Sequence, residues 1–525
     1  MAKRKRDTAL PVGKPAPAKS ALKQAKPVPK PPATAPARPS EKPSTKQPKP
    51  QKVKEVAQTA APFKLATDET LTIQVVTGSY DRVLHGFTAT IRPASVSSPA
   101  SKKSKSDNGT AAPAPDVSFA DTFLFTAHTS SIRCLALSPI SAPIPGQTQK
   151  VLLATGSADE RINIYSVSAH PPSARAAADQ AALSSVTPRP VLENAKNREV
   201  GTLLHHSGNV TRLHFPNRAK LMTAGEDSAV AVARTRDWNV LHTFKCPVPV
   251  ARGRPSGDTA ALGTGPSGVN DFAVHPSHKL MFSVSRGENC MRLWNLMTGK
   301  KAGKCEFKRA ELVAAGETKH STGGALRIVW GGEEEFVVGF ERNGLVYGGD
   351  CVVRCKLLEG TGTKVHGLAY VEVGGGDRVV AVSTEDGRVL FCSAAEGHVK
   401  PPKALPDLPR ATLVAQLGGK EAGVQGRIKD FVVLPVENEE GERGFYVVTA
   451  GSDGRVRVWR LEADDLRVGG EDEGRRVGRL LGTYETQNRI TCLGAFAMIP
   501  KPEGAEESEF EFESSSEEDE DSDDE

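Results

Sequence analysis

The chain has 525 residues, 38% hydrophobic and 25% charged, and a formal net charge of +5, long enough for several small domains or one large array. No apolar run reaches membrane-spanning length and no apolar leader opens the sequence, so a soluble intracellular protein is expected. Eight cysteines are scattered without a CxxC pair, and the closest spacing, Cys351 with Cys355, lacks a second ligand pair; reduced buried thiols are expected, with no structural zinc and no cofactor.

Residues 1–62 carry 15 Lys or Arg against 3 acids, together with 13 prolines. Such a segment buries too little apolar surface to offset its ordering entropy, which predicts a disordered basic arm. Its opening cluster, Lys3-Arg4-Lys5-Arg6, suits a nuclear-import receptor or a polyanion; the plain alternative is a solubilising tail.

From residue 71 one local pattern recurs. A β-branched or apolar run meets Ser or Thr with Gly, then an acid, then an alternating segment that closes on an apolar or aromatic residue six positions after the acid. Asp81 leads to Phe87, Asp159 to Tyr165, Glu288 to Trp294 and Asp453 to Trp459. Asp227 to Ala233 and Asp386 to Cys392 keep the spacing without the aromatic. Alternation of period two makes each copy a strand, tight turn, strand hairpin. In VRVWRL (456–461), Arg457 is expected to stay wet between inward valines. The turn acid can accept hydrogen bonds from the turn's own amides or from an upstream histidine, and so fix hairpin register.

The copies centre near 71–91, 127–167, 205–244, 268–300, 325–358, 364–395 and 426–460. In the fifth, the turn falls on Glu341 or Asn343. Histidines stand upstream by about 27 residues, roughly what a four-stranded unit needs: His128, and His205 with His206. One such unit cannot bury its own faces, so the copies must pack as an array. The pattern of histidine, Ser or Thr, turn acid and closing aromatic is the WD-repeat signature, and it predicts an all-β, seven-bladed propeller over 63–500. The first copy lacks its upstream strand, and TQNRITCLGAF (486–496) reads as that missing piece; pairing it beside 71–87 closes the ring and removes two sheet edges. Residues 94–118, 168–199, 246–266, 396–424 and 463–480 read as loop inserts too polar or too rich in Pro, Ala, Ser and Gly for strands.

The end reverses sign. Residues 503–525 hold 14 acids and no base, so 501–525 is expected to be a disordered acidic tail that solubilises, folds onto the basic arm or shields basic proteins. Ser514, Ser515, Ser516 and Ser522 sit among these acids as candidate sites for acid-directed kinases.

Catalytic motifs are missing from the sequence. GTGPSG (263–268), EGTGTK (359–364) and LGGKEAG (417–423) all fail the phosphate-loop pattern, and neither GxSxG nor HExxH occurs. The histidines and turn acids are accounted for by structural hydrogen bonds, so no enzyme is expected. Trp294 and Trp459 should pack between blades, whereas Trp238, in RTRDW, is a candidate contact residue. Neither Trp294-Asn295-Leu296-Met297 nor Trp459-Arg460-Leu461-Glu462 supplies the Trp-Asp-x-Arg motif of a ubiquitin-ligase substrate receptor.

VVTGSYDRVLHGF (75–87), HTSSIRCLALS (128–138), TGSADERINIY (155–165), LLHHSGNVTRLHF (203–215), LMTAGEDSAV (221–230) and NRITCLGAF (488–496) together resemble, in the same order, the WD-repeat family of p21-activated-kinase-interacting proteins and their fungal ribosome-assembly relatives. The resemblance implies a nuclear and nucleolar scaffold needed to mature the large ribosomal subunit precursor, bound to assembly factors and a pre-ribosomal particle and monomeric within that complex. It also implies, as the alternative, restraint of a p21-activated kinase. Animal relatives carry a Lys-rich C-terminal extension, while this chain has its basic arm at the N-terminus. A basic arm suits a particle built on ribosomal RNA, since each neutralised phosphate adds salt-sensitive affinity. The turn residues Tyr80, Arg82, Glu160, Arg161, Glu226, Arg286, Glu385 and Arg455 should cluster on one face as a partner-binding rim.

Overall fold

The computed structural model describes residues 63–65, 70–92, 117–143, 147–172, 191, 194, 196–248, 268–317, 324–360, 362–402, 407–438, 441–469 and 473–501. Among them lie seven sheets, each built on four antiparallel strands. The second blade comprises Ile132–Leu137, Lys150–Ser157, Ile162–Ser168 and Arg198–Leu203, and the third Val210–Asn217, Lys220–Gly225, Ala229–Arg234 and Val240–Lys245. The fourth runs through Val269–Val274, Leu280–Ser285, Cys290–Asn295 and Lys300–Glu306, and the fifth through Arg327–Trp330, Glu335–Gly339, Gly344–Gly348 and Val353–Lys356. Val365–Gly374, Asp377–Thr384, Arg388–Ser393 and Thr412–Gly418 form the sixth; Ile428–Asn438, Arg443–Gly451, Arg455–Glu462 and Arg479–Glu485 form the seventh.

The first blade is assembled from both ends of the chain. Ile490–Ala497 lies antiparallel to Leu71–Ser79, with Ile73 opposite Ala497 and Thr77 opposite Leu493, and Val83–Ile91 and Val117–Thr126 complete the sheet. Inner strands of neighbouring blades touch in sequence around the whole circuit, seventh to first included. The seven-bladed propeller and its closure are therefore borne out.

Each blade is too thin to own a core. The buried apolar residues instead form seven clusters, one at each junction between successive blades. Between the third and fourth blades, for example, Met222, Val230 and Phe244 meet Phe272, Met281 and Trp294. Burial of each such side chain is worth about 1.5–3 kcal/mol, and none of it is available to an isolated blade. The closing aromatics Phe87, Tyr165, Trp294 and Trp459 are all buried, and Ala233 and Cys392 fill the equivalent positions with less volume.

Packing on both faces corrects the reading of Arg457. It is 3% exposed, not wet, because the third strand of a blade is covered by neighbours on either side and alternation there marks two junctions, not a core and a solvent face. Residues 396–424 and 463–480, expected from composition to hold no strands, also contain them. Thr412–Gly418 is the fourth strand of the sixth blade, Arg475–Arg476 runs parallel beside it, and Ala463–Leu466 forms a 3-10 turn whose Leu466 packs into the junction between the sixth and seventh blades. The Pro and Gly of the flanking residues dilute the short run Leu413-Val414-Ala415 in any composition window. A second added strand, Phe63–Leu65, runs parallel to the inner strand of the seventh blade at Val436–Asn438.

Candidate functional site: the turn face and central channel

Strand direction alternates within a blade, so the turns between second and third strands all emerge at the end of the ring where the inner strands begin. The turn acids sit there in three arrangements. Asp159 and Asp227 bind histidine: His128 Nδ1 is 3.1 Å from Asp159 Oδ2 and its Nε2 2.9 Å from Thr155 Oγ1, while His206 Nδ1 is 2.9 Å from Asp227 Oδ2 and its Nε2 2.8 Å from Thr223 Oγ1. The histidine-to-acid separations are 31 and 21 residues, the second blade spending the extra length in the connection between its first two strands. Each acid also accepts the amide two residues on, Arg161 at 3.1 Å and Ala229 at 3.2 Å, across a left-handed residue, Glu160 or Ser228. Burial alone would raise the Asp159 carboxyl, yet the Thr129 and Arg161 amides and His128 hold it below its ordinary value; burial lowers His128 in turn.

Glu288 and Asp453 use arginine instead. Arg292 donates Nε to Glu288 Oε2 at 3.0 Å, and Arg457 donates Nη2 to Asp453 Oδ2 at 3.0 Å. In both blades the closing tryptophan's Nε1 then donates to the second strand, Trp294 to Ser283 Oγ at 2.9 Å and Trp459 to Thr449 Oγ1 at 3.1 Å. These arginines replace histidines that the two repeats lack, and an Arg four residues after the acid is the sequence signal that finds them.

Asp81 and Asp386 differ again. Asp81 Oδ2 accepts the amide of Arg489 at 3.2 Å, tying the first hairpin to the start of the closing strand, and Asp386 is held by Arg388 Nε at 2.7 Å and by Thr384. In the fifth blade the turn residue is Asn343, fully buried, which donates Nδ2 to Leu358 O at 2.8 Å and accepts the Leu358 amide at 2.9 Å. Glu341 faces outward and pairs with Lys364 Nζ at 2.6 Å.

Of the rim residues, Tyr80, Arg82, Glu160, Arg161, Arg286, Glu385 and Arg455 are exposed and Glu226 is half-buried. Several pair with neighbours: Glu226 with Arg286 at 3.3 Å and Arg133 at 3.8 Å, Glu385 with Arg427 at 3.6 Å, and Arg455 with Glu485 at 2.6 Å. Exposed pairs of this kind contribute little stability, so their charges stay exchangeable toward a partner. Trp238 is half-buried against the junction of the second and third blades, not presented as a lone contact residue.

Inside the rim, inner-strand side chains stitch blade to blade around the channel. Thr491 Oγ1 donates to Ile132 O at 2.6 Å, Thr211 Oγ1 to Val269 O at 2.6 Å and Asn270 Nδ2 to Ala325 O at 2.8 Å. Asp271 accepts the Ile328 amide at 3.1 Å and pairs with Arg212 at 3.1 Å; Asp430 accepts the Leu493 amide at 2.9 Å. No pattern in the repeats singles out these residues, because the inner-strand position varies in chemistry from blade to blade. At the outer edge, a cavity of about 260 Å³ opens between the first and second blades, lined by Phe123, Phe125, Tyr165 and Asn197 among others. Among the described residues no cluster of His, Cys, Asp and Glu forms a metal site, and all eight cysteines are free thiols. Lys3, Arg4, Lys5, Arg6, Ser514, Ser515, Ser516 and Ser522 lie outside the described residues.

Ring, repeats and turn pattern together define a WD-repeat β-propeller, and the family profile described as "WD domain, G-beta repeat" matches residues 120–166. Across most of its length the chain is similar to "Protein MAK11" of Saccharomyces cerevisiae, 26% identical over 403 residues that cover 71% of this chain and 74% of the yeast protein. It is likewise similar to the "p21-activated protein kinase-interacting protein 1-like" proteins of Gallus gallus, 23% identical with 81% and 80% covered, and Danio rerio, 23% identical with 74% and 76% covered. The resemblance drawn from the repeat motifs is thus borne out.

Proposed function

We propose that this chain is a non-catalytic scaffold of large-ribosomal-subunit assembly, working in the nucleus and nucleolus and needed to mature the subunit precursor. The observation that carries the reading is the match to MAK11 across 71% of this chain, which supports the assembly role that the family resemblance implies. The fold suits a scaffold, because a rigid closed ring offers a rim of exchangeable charges at several radial positions and can hold more than one protein at once. The rim Tyr80, Arg82, Glu160, Arg161, Glu226, Arg286, Glu385 and Arg455 is the contact surface in this reading, and the arm of 1–62 touches pre-ribosomal RNA. Purification of the tagged chain from nuclear extract, with and without ribonuclease, should recover large-subunit assembly factors, and depletion should stall precursor processing. Untouched processing after depletion would overturn the reading.

A second reading is favoured by the names of the vertebrate relatives. Here the same turn face occupies the regulatory region of a p21-activated kinase and restrains it. Capture of such a kinase by the full chain, lost on charge reversal at Glu226 and Arg286, would favour it over the assembly role.

A further inference from the structure

At the mouth of the channel the charges are unevenly spread. Arg327 opens the inner strand of the fifth blade, His366 and Lys429 are the second residues of those of the sixth and seventh, and Arg427 and Arg489 stand just before those of the seventh and first. They are close enough to act on one another: Arg427 and Arg489 both disfavour the charged form of Lys429, and Lys429, Arg427 and Arg327 do the same to His366. The carboxylates nearby are already engaged. Glu385 pairs with Arg427, Asp271 with Arg212, and Asp430 accepts the amides of Leu493 and Phe431. Among the described residues Arg327 donates only a long 3.4 Å bond to His366 O and His366 Nε2 is buried without a hydrogen-bond partner, while Arg489 lies 5.6 Å over the Tyr80 ring. Like charges crowded at one end of a channel cost free energy until an anion joins them.

We propose that this mouth binds an acidic peptide, and that the occupant is the chain's own segment 503–525. That segment has 14 acids and no base, and the described chain ends at Lys501, just after Ile499 and Pro500 anchor on His170 Nδ1 at 3.0 and 3.1 Å. The inner strand Ile490–Ala497 runs from the mouth toward the other end of the ring, so the tail leaves opposite the mouth; at about 3.3 Å per residue, two dozen extended residues give it about 75 Å with which to round the rim. The tail is favoured over nucleic acid because it is tethered to the same chain, which makes its binding intramolecular; Glu160, Glu226, Glu341, Glu385 and Glu485 on the same face weaken the hold on any free polyanion. The inference does not rest on the assembly role proposed above.

The test uses a fluorescein-labelled peptide of residues 503–525 and the full-length chain with its 14 tail acids changed to Gln or Asn. Anisotropy should show the peptide binding this neutralised chain, and binding the native chain about tenfold more weakly because its own tail competes. In the neutralised chain, Lys429→Gln with Arg489→Gln should weaken binding about tenfold with the melting midpoint unchanged, and Arg489→Gln alone, at an exposed side chain, should weaken it about threefold. Equal affinity in the presence and absence of these substitutions would overturn the proposal. So would loss of binding on neutralising the Lys and Arg of residues 1–62 instead, which would make the arm the receptor. Displacement of the peptide by a single-stranded RNA of about twelve nucleotides, itself lost in the same variants, would make the mouth a nucleic-acid site and overturn the peptide assignment.

Discussion

At the residue scale, the turn acids fill one structural role with different partners. In the second and third blades the acid holds an upstream histidine; in the fourth and seventh an arginine four residues downstream takes its place and is buried doing so, as Arg457 is at Asp453. Removing such an arginine leaves a carboxylate facing a dry junction, which is costly, although Asp453 keeps 24% side-chain exposure and the penalty is therefore moderate. Arg457→Met should lower stability by about 2 kcal/mol, and Asp453→Asn in the same chain should restore at least half of that. A double-mutant cycle in urea checks it, and strict additivity would refute the coupling.

The histidines make a pH prediction of definite sign. Burial, with His206 beside it, brings His205 down to about 4, and burial, with Lys429 beside it, brings His366 down to about 4, against an ordinary 6.5. Between pH 6.5 and 4 the unfolded chain binds protons at these positions and the folded chain does not, so their contribution to stability is complete above 6.5 and is lost as pH falls toward 4. Glu317 and Asp430, raised by burial, act in the opposite sense. The histidine part is therefore read by difference: His205→Gln and His366→Gln should each flatten the fall in melting temperature between about pH 7 and 5, and parallel curves for variant and native chains would contradict the assignment.

At the scale of the element, the hairpin between second and third strands is the unit that can be read from sequence, and the glycine before its turn shows how tightly that unit is built. A Cβ on Gly156 would meet Val210 Cγ1 at 2.6 Å and Cys134 Sγ at 2.9 Å, and one on Gly78 would meet Cys492 Sγ and Ile132 Cγ2 at 2.7 Å. The glycine of the TGS motif is thus where the next blade's inner strand passes closest. Gly156→Ala should cost about 1–3 kcal/mol by overpacking, and Val210→Ala should relieve part of the loss when combined with it. Thermal unfolding of the three variants decides the matter.

What stays illegible follows from the same construction. Fourth strands such as Arg198–Leu203 and Lys300–Glu306 are mostly exposed and Lys- or Gly-bearing, so they carry little periodicity, whereas Thr412–Gly418 is largely buried and disappears because its flanks are rich in Pro and Gly. Alternation misplaces Arg457 because two-sided packing removes the wet face that alternation assumes. The seam contact in which Tyr484 donates to Asp121, 363 residues away, while His85 Nε2 lies 2.7 Å from the same carboxylate, has no local signature at all. The turn acids are visible because their bonds are mostly local; the channel residues are not, because their partners belong to the next blade.

At the scale of the whole molecule, stability rests on closure. Seven junction clusters mean that every blade is stabilised by two neighbours, and a ring has no end blade to cap. The junction between the seventh and first blades is as apolar as the others, with Val448, Val456 and Val458 against Leu71, Phe87 and Leu493, but its first blade is shared by the two ends of the chain. Without Ile490–Ala497, the strand Leu71–Ser79 loses its inner partner and becomes an open edge, Asp430 loses the Leu493 amide, and Asp81 loses the Arg489 amide. Truncation after residue 483 also removes Tyr484, which stacks on Phe87 at 4.2 Å. The loss therefore exceeds one strand's worth of contacts and should propagate around the ring, lowering the melting temperature of the whole domain by more than about 10 °C and broadening the transition. A synthetic peptide of residues 484–501 added in trans should recover part of the shift by re-forming the antiparallel pair. An unchanged melting temperature in the truncated chain would mean that the first blade stands without its closing strand, and that the ring is held by the other six junctions alone.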